Sequence, residues 1–347
     1  MTLLSTRFIP AFLLVAILVA PASWAQSDLQ RRGLTVVTPP DRTIKVEDIA
    51  RPALPAWGSK VDPALLALSP SPARDARVAQ MRVEDEPIAL YRIGGRTLVD
   101  LLIETSTPDA LAAMPGVELR TVAGDIAVVR ADLDALPALA GHTQVRYVEA
   151  ARVRQSTREP VASSMRGSVG SNEDGRADIR ADVVQTGGGG LPRAFRGEGV
   201  VVGVVDSGLD VTHSDFSTGA GTRVHFLIEY LENGGELTWT KAQIDAGGVS
   251  QRDGDGGGGH GTHVTGSAAG NGTTQAAQRG VAPNADLVFV KGVRDADSNG
   301  GFSDADVIDG VSRIFQQAAD LGQPAVANLS LGGHFSPHDG SSLYEQA

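Results

Sequence analysis

Hydrophobic and polar positions follow different rhythms in successive parts of the chain, and each rhythm predicts its own kind of element. Residues 26–87 show little periodicity. Pro, Arg and Ala dominate there, with Thr38-Pro39-Pro40 and Ser69-Pro70-Ser71-Pro72, which predicts an extended tether. A compact pattern follows over 88–153. Leu98-Val99-Asp100-Leu101-Leu102-Ile103 predicts a strand, and Thr107-Pro108-Asp109 opens a short helix with proline at its first position. Gly116 marks a bend into strands at 117–122 and 126–129, and a helix at 132–139 and a strand at 145–148 complete the order β-α-β-β-α-β. That order predicts a small α+β, ferredoxin-like module. Residues 154–198 read as a second linker, with Gly167, Gly170, Gly175 and a glycine run at 187–190.

From residue 199 onward the apolar runs become continuous, as strands covered on both faces require. Strands are predicted at 199–205, 224–230, 286–290 and 325–331, with an amphipathic helix at 304–321. Buried strands alternating with helices predict an α/β fold, a parallel sheet with flanking helices.

The first 25 residues carry one charged side chain, Arg7, ahead of an apolar run at 8–20, then Pro21 and Ser23-Trp24-Ala25. This is the layout of a signal peptide cleaved after Ala25, because the run is short for a membrane span and no stop-transfer pattern follows. The expected location is secreted or periplasmic, with no membrane contact after cleavage. Charge sharpens the second part of the chain. Of the net charge of −11, residues 191–347 supply −10, from 9 Lys and Arg against 19 Asp and Glu. Nucleic acid is a poor partner for such a surface, since binding a duplex needs clustered Lys and Arg. There is no cysteine, which removes disulfide frameworks, Cys-ligated zinc, iron–sulfur clusters and a cysteine nucleophile together.

Two segments hold candidate chemistry, each beyond the carboxyl end of a predicted strand, where α/β sheets place their sites. In Val204-Val205-Asp206-Ser207-Gly208-Leu209-Asp210 the carboxylate of Asp206 falls at the sheet edge. Taken alone, it could equally be a turn aspartate accepting backbone N–H bonds. In His260-Gly261-Thr262-His263-Val264 a glycine run at 256–259 gives way to a helical pattern, so His260 falls at a helix N-terminus. The helix dipole there disfavours the imidazolium and suits a histidine base. The spacing of His260 and His263 also allows a metal pair, but the Glu of an H-E-x-x-H motif is absent.

Asp-Ser-Gly after a Val-rich strand, then His-Gly-Thr-His-Val opening a helix, then Asn328-Leu329-Ser330-Leu331-Gly332-Gly333, in that order, resembles the subtilisin-like serine proteases, or subtilases. Gly280-Val281-Ala282-Pro283-Asn284-Ala285-Asp286 resembles the family's segment before its next core strand, and the resemblance covers about 197–347. It implies that Asp206 orients His260 and that His260 moves the proton of a serine. It also implies that Ser330, Leu331 and Gly332 pair with an extended peptide substrate, with Asn299 and Gly300 on the opposite edge. Asp215 matches a position that helps bind calcium in some relatives, so the one metal expected is a structural calcium, and the chemistry itself needs no cofactor. The earlier module then resembles a subtilase prodomain, an intramolecular inhibitor whose tail blocks the cleft.

The family's Gly-Thr-Ser-Met-Ala-like segment and its oxyanion asparagine find no match. Ser163-Ser164-Met165 precedes Asp206, and Asn271 lies upstream of the Ser-Leu-Gly strand. Ser342-Leu343-Tyr344-Glu345 has the form of a capping box at a helix start, two residues before Ala347. The expectation is therefore the first half of a catalytic domain, inactive by the triad route as it stands. Two further readings stay open: a noncatalytic pseudoprotease or inhibitory binding protein, and a metal-dependent hydrolase using His260 and His263.

Overall fold

Burial on both faces of one long strand organises the N-terminal module. In the computed structural model, which describes residues 55–68, 78, 88–156, 171–253, 259–293, 301–332 and 338–347, Val99, Leu101 and Ile103 enter one core while Leu102 enters another. The elements are α1 (Pro63–Leu66), β1 (Leu90–Ile93), β2 (Arg96–Thr105), α2 (Pro108–Ala112), β3 (Val117–Ala123), β4 (Ile126–Asp132), α3 (Leu136–Gly141), β5 (Val145–Ala150) and β6 (Val153–Ser156). Every pairing in the sheet is antiparallel. β4 lies between β2 and β3, and the other edge of β2 is shared by β1 at Arg96 to Val99 and β5 at Leu101 to Thr105. The strand order β5-β2-β4-β3 is the one a β-α-β-β-α-β chain makes in a ferredoxin-like fold.

Part of the segment expected to be an extended tether is folded. Val61, Leu65 and Leu68 are buried in the module's first core, and Asp62 caps α1 by accepting the Ala64 N–H at 2.8 Å. The stretch 61–68 is short and apolar at every position after Pro63, so it shows no period that would tell which side chains are buried. The expected linker over 154–198 is likewise partly helical, with α4 (Asn172–Asp178) and α5 (Ala181–Thr186). A capping box between Ser171 and Asp174 starts α4. Asn172 Nδ2 donates to the Gln278 carbonyl at 2.8 Å, and Gln185 Nε2 to those of Gly280 and Val281, which docks both helices.

The following elements are β7 (Val201–Asp206), β8 (Ser217–Thr218), β9 (Gly221–Thr222), β10 (Val224–Tyr230), β11 (Glu236–Thr240), α6 (Lys241–Asp245), α7 (His260–Ala269), β12 (Asp286–Lys291), β13 (Gly301–Ser303), α8 (Asp304–Asp320), β14 (Ala325–Leu329), β15 (Leu331–Gly332) and α9 (Leu343–Gln346). The main sheet runs β11-β10-β12-β7-β14, parallel except for the antiparallel edge strand β11. Val202, Val204, Leu227, Leu287 and Phe289 face the side of α7, and Val201, Val205, Ile228, Val288 and Val290 face α8. Gly203 lets α8 close on the sheet, because a Cβ there would stand 2.2 Å from Ile314 Cγ2. This α/β architecture is the expected one, and β11 is an addition whose exposed Glu236-Leu237-Thr238 carried little strand signal.

The module's second face packs on α8 and α9. Leu102, Ile126 and Val128 share a core with Ala305, Ile308 and Leu343. Beside it lies a buried charge network. Arg120 reaches Asp306 at 2.8 Å and Asp309 at 3.4 Å on α8, and Asp100 at 3.2 Å on β2. Arg130 grips Asp100 with two bonds of 2.8 and 3.0 Å, and the Tyr230 hydroxyl donates to Asp309 at 2.6 Å.

Candidate active site

Asp206 ends β7 with no accessible surface. Its Oδ1 accepts the Ser207 N–H at 2.7 Å and lies 2.7 Å from His260 Nδ1, while the buried Oδ2 has no partner. Burial pushes the Asp206 carboxyl above the usual aspartate range, and the bonds from His260 and Ser207 oppose that rise. With Nδ1 engaged by the carboxylate, the second imidazole nitrogen, Nε2, is the one left to exchange a proton. The His260 side chain is 21% exposed, so a reactant can approach it.

The pair is held by how α7 begins. His260 is its first residue, and the cap position is Gly259, which has no side chain to satisfy the first backbone N–H groups. Two loop residues do so instead. Ser207 Oγ accepts the Gly261 N–H at 2.9 Å, Asp253 Oδ2 accepts the Thr262 N–H at 2.7 Å, and Ser207 Oγ donates to Asp253 Oδ1 at 2.9 Å. Thr262 Oγ1 in turn accepts the Asp210 N–H at 2.9 Å. The turn after β7 and the start of α7 are thus tied directly together. Gly261 is required by this closeness, since a Cβ there would stand 2.2 Å from the Gly208 carbonyl oxygen. Sequence reasoning missed Ser207 and Asp253 as supporting residues. The signal available was a serine next to Asp206 and an acid upstream of a glycine run, and neither says which helix it caps.

A groove runs beside this pair. β6 lies in it, antiparallel to β13 on one side and to β15 on the other, with Gly301 opposite Gln155, Phe302 opposite Arg154, Leu331 opposite Ser156 and Gly332 opposite Gln155. Leu329, just before β15, is level with Val205 in the main sheet, so the β15 end of the groove sits at the sheet edge where Asp206 lies. β6 runs opposite to β15, so its Ser156 end lies opposite Leu331, the end of β15 nearer to the main sheet. Ser330 precedes β15, and its Oγ lies 3.0 Å from Asn328 Nδ2. Asn299 and Gly300 lie outside the described residues.

The sequence model of the subtilase family matches residues 197–347, which include Asp206, His260 and both flanks of the groove. Residues 197–347 belong to the subtilase family. Over 210 residues the chain is 30% identical to a subtilisin-like protease of Coccidioides posadasii, covering 59% of this chain and 42% of that one. Over 142 residues it is 37% identical to the subtilisin-like serine protease Pen c 1 of Penicillium citrinum, covering 40% and 28%. It spans less than half the length of either relative. Among solved structures it is similar to the Clostridium perfringens CspB protease, at 27% identity and a TM-score of 0.42, covering 49% of this chain and 36% of that one.

Other expected residues of the subtilase segment stand apart from the pair. Asp215 is buried, and its Oδ1 accepts the Thr274 N–H at 2.8 Å. Its carbonyl accepts from Arg223, whose guanidinium also takes the carbonyls of Ala269 and Ala285. Three carbonyl oxygens that could draw a calcium ion are thus gathered on a fixed organic cation. No group of three or more His, Asp or Glu suited to a metal occurs among the described residues. His263 is exposed on α7, His213 Nδ1 lies 3.3 Å from the Asp215 amide, and Asp210 Oδ1 accepts the Thr212 N–H at 2.9 Å. Among the described residues no helix is long and apolar enough to cross a membrane.

Proposed function

We propose that this chain is the precursor form of an exported serine endopeptidase, contributing the aspartate and histidine of an Asp-His-Ser triad. The observation that carries the reading is the 2.7 Å contact between Asp206 Oδ1 and His260 Nδ1 at the sheet edge, beside a groove that pairs an extended strand on both sides. In this reading Asp206 fixes the imidazole tautomer and stabilises its charged form. His260 takes the serine proton through Nε2 and returns it to the leaving amine. The reaction needs protein groups alone. Substrate binds as an added strand along Ser330, Leu331 and Gly332, with Asn299 and Gly300 at the far edge. The N-terminal module is the inhibitor, its tail β6 holding the groove until processing, and residues 1–25 direct export.

A fluorophosphonate probe tests the reading. The 347-residue chain is expected to remain unlabelled, and stoichiometric labelling at Ser330, Ser341 or Ser342 overturns that expectation. A protein carrying the coding sequence downstream of Ala347 is expected to label at one serine and to lose labelling in His260→Ala. Absence of both labelling and peptide hydrolysis in that protein sinks the catalytic reading. It favours the noncatalytic alternative, for which the two-sided pairing of β6 already supplies a binding mode.

A further inference from the structure

Asp304 is a carboxylate with no accessible surface, at the first position of α8 and directly after the groove strand β13. Its bonds share one source. Oδ1 accepts Arg154 Nε at 2.7 Å, and Oδ2 accepts Arg154 Nη2 at 3.3 Å and the Arg152 N–H at 3.0 Å. Its own N–H donates to the Arg152 carbonyl at 2.8 Å. Both side-chain oxygens are therefore satisfied by the strand lying in the groove and the residue just before it. The Arg154 guanidinium also lies 5.0 Å over the ring of Tyr344, and only 6% of the residue is exposed. A planar cation held two-pronged by a carboxylate, with an aromatic face on one side, is the geometry that selects arginine over lysine and over neutral side chains.

We infer that Asp304, with Tyr344 beside it, forms an arginine-recognising subsite of the groove, so that preferred occupants and substrates carry arginine at the place of Arg154, two residues before Ser156. The inference rests on reading this groove as the substrate groove. Its physical basis is asymmetry. When a buried carboxylate takes its partners from the occupant, an occupant lacking the guanidinium leaves the charge unpaired, which costs far more than the pair itself gains. Burial pushes the Asp304 carboxyl above the usual aspartate range, and the bonds and charges of Arg154 and Arg152 oppose that rise, as does the helix N-terminus. Arg120, the other arginine that engages α8, is no such anchor, because it sits inside the module's sheet on β3 where an incoming peptide has no counterpart.

The test uses the full chain and two heptapeptides with the sequence of residues 150–156, one natural and one with citrulline in place of Arg154. Citrulline keeps the shape and removes the charge. Amide exchange of β6 reports its displacement by each peptide, at millimolar concentrations because the tethered tail competes at about that effective concentration. The arginine peptide is expected to release β6 at a concentration about tenfold lower than the citrulline peptide. In Asp304→Asn the two peptides should become equivalent. Equal potency on the unmodified chain overturns the inference, as does failure of both peptides to displace β6, and this comparison does not depend on the variant folding. The catalytic reading fails separately: discrimination between the peptides with no probe labelling of the extended protein keeps the subsite and removes the triad, and labelling without discrimination does the reverse.

Discussion

Asp206 holds its place at the end of β7 at the expense of stability. It is fully buried with Oδ2 unpaired, and burial raises its pKa in the folded chain. Between the ordinary aspartate value and the raised one the folded state holds more protons than the unfolded state, so stability falls as pH rises through that window. Asp206→Asn removes this fall. Urea midpoints of variant and parent are expected to converge below the ordinary aspartate pKa and to separate above the raised value, the variant being more stable by about 1 kcal/mol. A parent more stable than the variant at pH 8 contradicts this account. Asp206 and His260 were legible in the sequence because each sits in a short motif at a predicted strand end or helix start. Ser207 and Asp253 were not, because their role is defined by N–H groups of α7 that lie 54 and 9 residues further along the chain.

At the level of elements, the start of α7 depends on parts borrowed from two loops. Ser207→Ala and Asp253→Ala each remove a cap and should each cost about 1 kcal/mol in urea unfolding. Their effects should sum to less than additive in the double variant, because Ser207 and Asp253 also bond to each other. Gly261→Ala drives a methyl group against the Gly208 carbonyl and is expected to cost about 1–3 kcal/mol. It should also weaken the His260 contact with Asp206, read as changed chemical shifts of the His260 ring by NMR. Full costs that add in the double variant, or unchanged ring shifts in Gly261→Ala, would falsify the account of α7 as a helix capped from outside. The strands of the main sheet were legible from their continuous apolar runs. α1, α4, α5 and β11 were not, since each is short and held by tertiary docking rather than by its own periodicity.

For the molecule as a whole, the joint between module and body is ionic as well as apolar. Arg120 serves Asp100, Asp306 and Asp309 at once, and all four residues are largely buried. Arg120→Met strands these carboxylates and should cost about 3–5 kcal/mol, seen as a lowered urea midpoint. Arg146, which pairs with Glu104 and Asp125 at the surface, is the control, and Arg146→Ala should leave the midpoint unchanged. Equal effects of the two substitutions would show that burial does not govern this joint. Nothing local announces Arg120, since its partner Asp309 is 189 residues away.

By itself the sequence determined the β-α-β-β-α-β core of the module, the parallel strands of the main sheet with α8, and the two motifs that hold Asp206 and His260. Apolar periodicity and turn residues act over a few positions, so they can be read from a few positions. Only the tertiary structure decided that β6 lies between β13 and β15, that Asp304 takes its partners from Arg152 and Arg154, and that Ser207 and Asp253 cap α7. Those are pairings of buried polar groups with distant partners. A desolvated charge or N–H must be satisfied by some neighbour, and folding alone fixes which one.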